Sequence, residues 1–194
     1  VPTVKGSSLS VLFPVQYPED IFPQYRDTPI AQLLEYHNLN APFPTETSLG
    51  AQLLVGMCMD FRVNVRLPER YAYFIRTGGA NLKQSEFHIA YALSVGGVEA
   101  MAIISHSNCG MVDLGARQDL FVERLVDTAG AAQSEASELF VQSKLLAQVG
   151  EASGDEFEFV VEEARWLRSK YPKILIAALH YKVEDNLLYQ IRED

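Results

Sequence analysis

Two cysteines and one tryptophan are all that 194 residues contain of either type, and basic residues are nearly as sparing, at sixteen against twenty-five acidic ones. Each shortage excludes something. Two cysteines in a chain this long cannot make the disulfide framework of a small secreted scaffold, and beside a suitable histidine they fit a metal site in a reducing compartment. A net charge of −9 with scattered Lys and Arg leaves no footprint for tracking a phosphate backbone, so no nucleic-acid partner is expected. No apolar stretch reaches the roughly 18 residues of a membrane span; the longest are broken by Glu99 or by glycines. No apolar h-region of a secretory signal opens the chain as given. A cytoplasmic or other soluble compartment is therefore expected.

What is present is a globular composition, 48% hydrophobic and 21% charged, with length for one sizeable core. Residues 1–50 differ from the rest. They hold seven of the nine prolines, and proline fixes φ and removes a donor, so an extended N-terminal arm is expected here. One helix interrupts it, from Thr28 to His37, with Thr28 as cap and Pro29 at the first helical position. The arm's aromatics, Phe13, Tyr17, Phe22, Tyr25, Tyr36 and Phe43, are too many for a solvated tail. Packing on the chain's own core and packing on a partner subunit both fit them.

Residues 51–194 read as a single α/β domain. Gln52–Met57 and Tyr71–Arg76 suit strands buried on both faces, a helix follows from Gln84 to Val95 with Phe87, Ala90, Tyr91 and Val95 inward, and Ala100–Ser105 makes a third strand. Met111–Leu146 is helical, with Ala129–Ser137 as a possible loop. Phe157–Tyr171 is a clear amphipathic helix carrying Val160, Val161, Ala164 and Leu167 on one side. Ile174–His180 and Leu187–Ile191 are the last strands, joined by a hairpin turn at 183–188. Helices joining strands imply a mostly parallel central sheet of about four strands, with the last strand antiparallel on its edge and helices on the flanks.

Both cysteines fall at strand ends, where ligands of open α/β sheets collect. Cys58 follows the run Leu53–Met57, and His106 and Cys109 follow Ala102–Ser105. Two thiolates and one imidazole suit Zn2+ and leave a fourth position open for chemistry, with Asp60 and Arg62 placed to control access to it. Taken singly, each residue has a plainer reading: inert buried cysteines, a core histidine, an ordinary turn ion pair. Together, at two strand ends, they favour the metal. His88 and His180 are expected to be structural, with a peripheral proton relay as the alternative. Arg76–Ala80 matches neither a P-loop nor a dinucleotide fingerprint.

The pattern resembles a known family. Cys58-Met59-Asp60-Phe61-Arg62 matches the C-x-D-x-R motif of the β-class carbonic anhydrases, and His106-Ser107-Asn108-Cys109-Gly110 matches their H-x-x-C-G motif, at a fitting separation. Arg76-Thr77-Gly78-Gly79 resembles the family's R-N-A-G loop, with Thr77 in place of Asn, and Leu179-His180-Tyr181 stands where the family has histidine-glycine. The resemblance covers about residues 50–110 and, loosely, the last helix and strands.

It implies zinc on Cys58, His106 and Cys109, with Asp60 and Arg62 as the catalytic dyad. The implied reaction is reversible hydration of CO2 to bicarbonate by a metal-bound hydroxide, or hydrolysis of COS or CS2, which some relatives perform. A catalytically silent zinc-binding homologue is the other reading, against which Asp60 and Arg62 speak. Phe61 and Tyr73 are expected to wall the substrate, with Gly78, Gly79 and Gly110 as further substrate contacts. The family also implies self-association as a dimer or larger even oligomer.

Overall fold

The computed structural model describes residues 11–43, 50–112, 114–143 and 157–193. Those parts of the expected arm at 1–10 and 44–49, and the end of the helical stretch at 144–146, lie outside the described residues.

Six strands make one sheet in the order β1-β6-β5-β4-β2-β3. They are β1 (Val11–Pro14), β2 (Leu53–Cys58), β3 (Ala72–Thr77), β4 (Ala100–His106), β5 (Leu175–Lys182) and β6 (Leu187–Arg192). β2, β3, β4 and β5 run parallel, as the strand–helix alternation requires, and β6 turns back antiparallel on β5. β6 is not the edge: β1 pairs antiparallel outside it, with Val11 opposite Arg192.

Alternation along each strand sends side chains to two cores. On one face Leu53, Val55, Met57, Ala102, Ile104, Ala177 and Leu179 meet Ile30, Leu33 and Leu34 of helix α1 (Pro29–Leu39). On the other, Leu54, Met101, Ile103, Ile176 and Ala178 meet α2 (Glu86–Ser94) and α5 (Glu158–Lys170). Between them in sequence, α3 (Gln118–Ala129) and α4 (Gln133–Gln142) form a helical hairpin with Phe121 against Phe140, ring centroids 5.1 Å apart. Its loop is only 130–132, shorter than expected, because Gly130 adopts φ 72° and closes α3 in a left-handed cap.

Three sequence expectations need correction. Residues 11–43 are not an extended arm: they supply β1, two 3-10 turns and α1, and they cover the first face of the chain's own sheet. That face would otherwise expose a row of Leu, Val and Met side chains, and the arm's prolines sit at helix and turn starts rather than in extended chain. Thr28 caps α1 as expected, its Oγ1 accepting the Ile30 amide at 3.2 Å. Second, β3 is the edge strand and is not buried on both faces; Tyr73 and Phe74 are exposed. Third, α2 turns Ile89 and Ala92 inward, whereas Phe87, Tyr91 and Val95 are 79%, 50% and 69% exposed. The helix was read with its apolar stripe facing the sheet; the sheet takes the smaller stripe instead.

Candidate metal centre

The C-terminal ends of β2, β3 and β4 lie side by side. Cys58 is opposite Thr77 in the ladder, and Met57 is opposite Ile104, two residues before His106. A fully buried β2 and β4 hold these ends rigidly, so the loops leaving them converge on one point.

At that point Cys58, His106 and Cys109 bring their ligand atoms within 4.8 Å of one another. The two Sγ atoms are 3.9 Å apart. That is far beyond a disulfide, and close to the ~3.8 Å that two sulfurs adopt when each sits about 2.3 Å from one tetrahedral cation. His106 supplies the third donor in the correct tautomer. Its Nδ1–H donates to the Ser107 carbonyl at 3.0 Å, which leaves the lone pair on Nε2, and Nε2 is buried with no hydrogen-bond partner among the described residues. A buried imidazole nitrogen whose lone pair faces two thiols has the chemistry of a metal ligand.

The electrostatics agree. The Cys58 thiol is held down at about 4, foremost by the hydrogen bond with Cys109 and further by His106 and the backbone near Asp60 and Gly79, against the effect of burial. Burial disfavours an imidazolium at His106, yet Cys58, the Ser107 carbonyl and Asp60 together outweigh it and raise the His106 pKa. The cluster therefore gathers negative charge that a divalent cation neutralises. The residues present fit a Zn2+ ion: two sulfurs, one nitrogen, and no fourth protein ligand among the described residues.

Asp60 borders the three donors and is paired with Arg62. The guanidinium holds its carboxyl down at about 2, and Oδ2 stands 3.9 Å from His106 Nε2. Arg62 Nη2 also donates to the Asn108 carbonyl at 2.8 Å, tying the two motif loops together. Arg76 braces the first loop from β3 by donating to the Val63 carbonyl at 3.0 Å.

The expected substrate contacts divide. Phe61 stands on the rim, 92% exposed, between Asp60 and Arg62. Gly79 lies beside Cys58, with φ 61° aiming its amide there, and Gly78 opens the same turn. Gly110 follows Cys109 and accepts a hydrogen bond from Arg117. Tyr73 is not brought to the site: it pairs with Leu54, four steps or about 13 Å down the strand from Thr77, and lies against Gly96.

His180 shares a 2.9 Å hydrogen bond with Ser105 and packs edge-on to Phe157. Burial, aided by His106, lowers its pKa to about 4, so it stays neutral near pH 7 and serves packing rather than proton relay. His88 is exposed on α2. Sequence reasoning missed Ser107, Asn108 and Glu184. Glu184, in the β5–β6 turn, accepts from Ser107 Oγ and Asn108 Nδ2, both at 2.7 Å, and no local pattern points to a partner that distant. It also missed Thr77 Oγ1, buried beside Cys58 with no hydrogen-bond partner among the described residues.

No protein-family model matches the sequence, and no curated protein gives a significant match. Solved structures do. A β-carbonic anhydrase isoform I from Trichomonas vaginalis is similar with a TM-score of 0.59 at 18% identity, covering 76% of this chain and 86% of that one. A carbonic anhydrase from Glaciozyma antarctica gives 0.53 at 20%, covering 74% and 85%. The apo form of a carbon disulfide hydrolase gives 0.51 at 20%, covering 72% and 77%. The chain has the β-carbonic anhydrase fold.

Proposed function

We propose that this chain, on a β-carbonic anhydrase fold, is a zinc enzyme that reversibly hydrates CO2 to bicarbonate. The observation that carries the reading is the donor set itself: Cys58 and Cys109 sulfurs 3.9 Å apart beside the buried Nε2 of His106, with Asp60 at their border gripped by Arg62. Cys58, Cys109 and His106 would hold the ion, which when bound would supply a Lewis acid that lowers the pKa of water toward neutrality.

The remaining roles belong to the chain. Asp60, kept ionised by Arg62, accepts a hydrogen bond from a water in the space bordered by the three donors and so orients it, with an oxygen lone pair facing the incoming carbon. As that oxygen bonds to carbon, one C=O π pair moves onto oxygen to give bicarbonate, and the proton of the broken O–H bond leaves to buffer. Phe61 and the backbone of Gly78, Gly79 and Gly110 border that space, and a largely apolar rim suits a small uncharged substrate.

Hydrolysis of CS2 or COS by the same residues is the second reading, favoured by the likeness to a carbon disulfide hydrolase. Stopped-flow CO2 hydration run beside sulfide release from CS2 separates the two. Rapid CS2 turnover with no CO2 hydration overturns the first.

Self-association belongs to this reading. Met59 extends the β3 edge by donating its amide to the Thr77 carbonyl at 2.8 Å, and Tyr73 of that strand lies against Gly96 at the end of α2. Exposed Tyr73 thus adjoins α2, whose Phe87, Tyr91 and Val95 are also exposed. An exposed aromatic face of this kind matches the apolar centre of a protein–protein interface. A second copy of the chain, paired about a two-fold axis, covers it.

A further inference from the structure

We propose that Glu184 is the positioning residue of the metal-binding loop 106–110, and that through Ser107 and Asn108 it sets how tightly the site holds its cation. The inference rests on the zinc reading above. Only Ser107 and Asn108 separate His106 from Cys109, and Glu184 holds both: Oε2 accepts from Ser107 Oγ and Oε1 from Asn108 Nδ2, each at 2.7 Å. The Ser107 hydroxyl is itself aligned by the Val183 amide at 2.9 Å, and the Ser107 amide donates to the Tyr181 carbonyl at 3.0 Å. One carboxylate on the β5–β6 turn therefore grips the whole intervening segment.

Each gripped residue has its own effect on a ligand. The Ser107 carbonyl takes the Nδ1–H of His106 and so determines which imidazole nitrogen faces the two sulfurs. Asn108 sits at φ 54°, in the left-handed region, and this reversal swings Cys109 back toward Cys58. A lone left-handed residue on an exposed loop relaxes easily, so it persists only where its surroundings hold it. Here they hold it from two sides: Glu184 takes the side chain, and Arg62 donates to the carbonyl at 2.8 Å. Ligands already arranged spare the cation the cost of ordering the loop.

The test uses the full chain, zinc competition with a chelator, and the absorption spectrum of the cobalt-substituted protein. Glu184→Ala is expected to weaken zinc binding about 10- to 100-fold and to shift the thiolate-to-cobalt bands, while the metal-free variant melts where the metal-free parent does. Glu184→Gln removes the same charge but keeps one acceptor oxygen, so its loss should be smaller. Asn108→Ala cuts one of the two bonds without touching the carboxylate, and serves if Glu184→Ala does not fold. The double variant should bind no more weakly than the worse single one. Parent affinity and parent cobalt bands in Glu184→Ala overturn the inference, as do equal losses in the Ala and Gln variants, which mean charge rather than positioning. A parent protein that holds zinc yet hydrates no CO2 overturns the functional reading alone. An active parent with an unchanged Glu184→Ala overturns this inference alone.

Discussion

Arg62 grips Asp60 with both arms of its guanidinium, Nε to Oδ1 at 2.9 Å and Nη2 to Oδ2 at 2.7 Å, while its backbone amide adds a third bond at 2.9 Å. A carboxylate so occupied stays ionised and stays off the cation. Asp60→Ala is therefore expected to cost on the order of 100- to 10,000-fold in kcat/KM for CO2, with zinc content unchanged. Stopped-flow rates and elemental analysis on the same preparation check both halves. An active Asp60→Ala protein removes the water-orienting role.

The metal ligands make a sharper demand. Cys58→Ser or Cys109→Ser replaces one of two sulfurs 3.9 Å apart with a weaker oxygen donor. Either variant is expected to purify with little zinc, and the parent stripped by chelator should lose activity and melt at a lower temperature. Readdition of zinc should restore both, since the ion binds the folded chain alone. A stripped parent with full activity is the contrary result.

Phe87 and Tyr91 stand one helical turn apart on the outward face of α2. Phe87→Glu with Tyr91→Glu places two charges where the second copy docks, and sedimentation should show the parent as a dimer or larger and the variant as a monomer. The circular dichroism of the variant should match the parent, because neither side chain contributes to the core. A parent that sediments as a monomer at high concentration refutes the docking face.

Glu163 on α5 is 2% exposed, and neither carboxyl oxygen has a hydrogen-bond partner among the described residues. Burial raises its pKa, with Lys83 and the Leu82 backbone offsetting only part of the effect. The proton is thus held more tightly folded than unfolded. Stability from this group is complete below the ordinary glutamate pKa and is lost as pH rises through the raised one. Glu163→Gln, which cannot ionise, should melt close to the parent at pH 4 and above it at pH 8. The gain should be a rise in melting temperature that is present at pH 8 and absent at pH 4. Parallel melting curves across that range refute the buried-acid account.

Gly56 in β2 faces Leu82, and a Cβ there would come within 2.5 Å of Leu82 Cδ1. Leu82 is fully buried among the core side chains of that face, so it can give way only by disturbing them. Gly56→Ala should destabilise the fold by roughly 1–3 kcal/mol, read from urea midpoints. It should also perturb the turn after β3 and with it the Gly79 amide beside Cys58. An unchanged midpoint contradicts the close packing.

Much of the site could be read in advance because its chemistry is local. Cys58, Asp60 and Arg62 are consecutive alternate residues, and His106 and Cys109 share one loop, so spacing alone places their side chains near each other. The parallel sheet was legible for the same reason: β2, β4 and β5 are continuous apolar runs that admit no solvated face. The N-terminal segment was misread because its prolines are equally compatible with extended chain and with helix starts. Only the bare face of the sheet decides between them.

On its own, the order of residues determined which atoms can bind a cation, how many there are, and the strand ends that carry them, since those properties follow from side-chain type and short-range periodicity. Tertiary packing decided what holds them. Glu184 meets Ser107 and Asn108 across separations of 77 and 76 residues, Arg62 meets Asn108 across 46, and α2 presents Phe87 and Tyr91 outward because the sheet beneath has room only for Ile89 and Ala92. Hydrogen bonds and steric fit act over a few ångströms, so which distant residues come that close is settled only once the chain has folded.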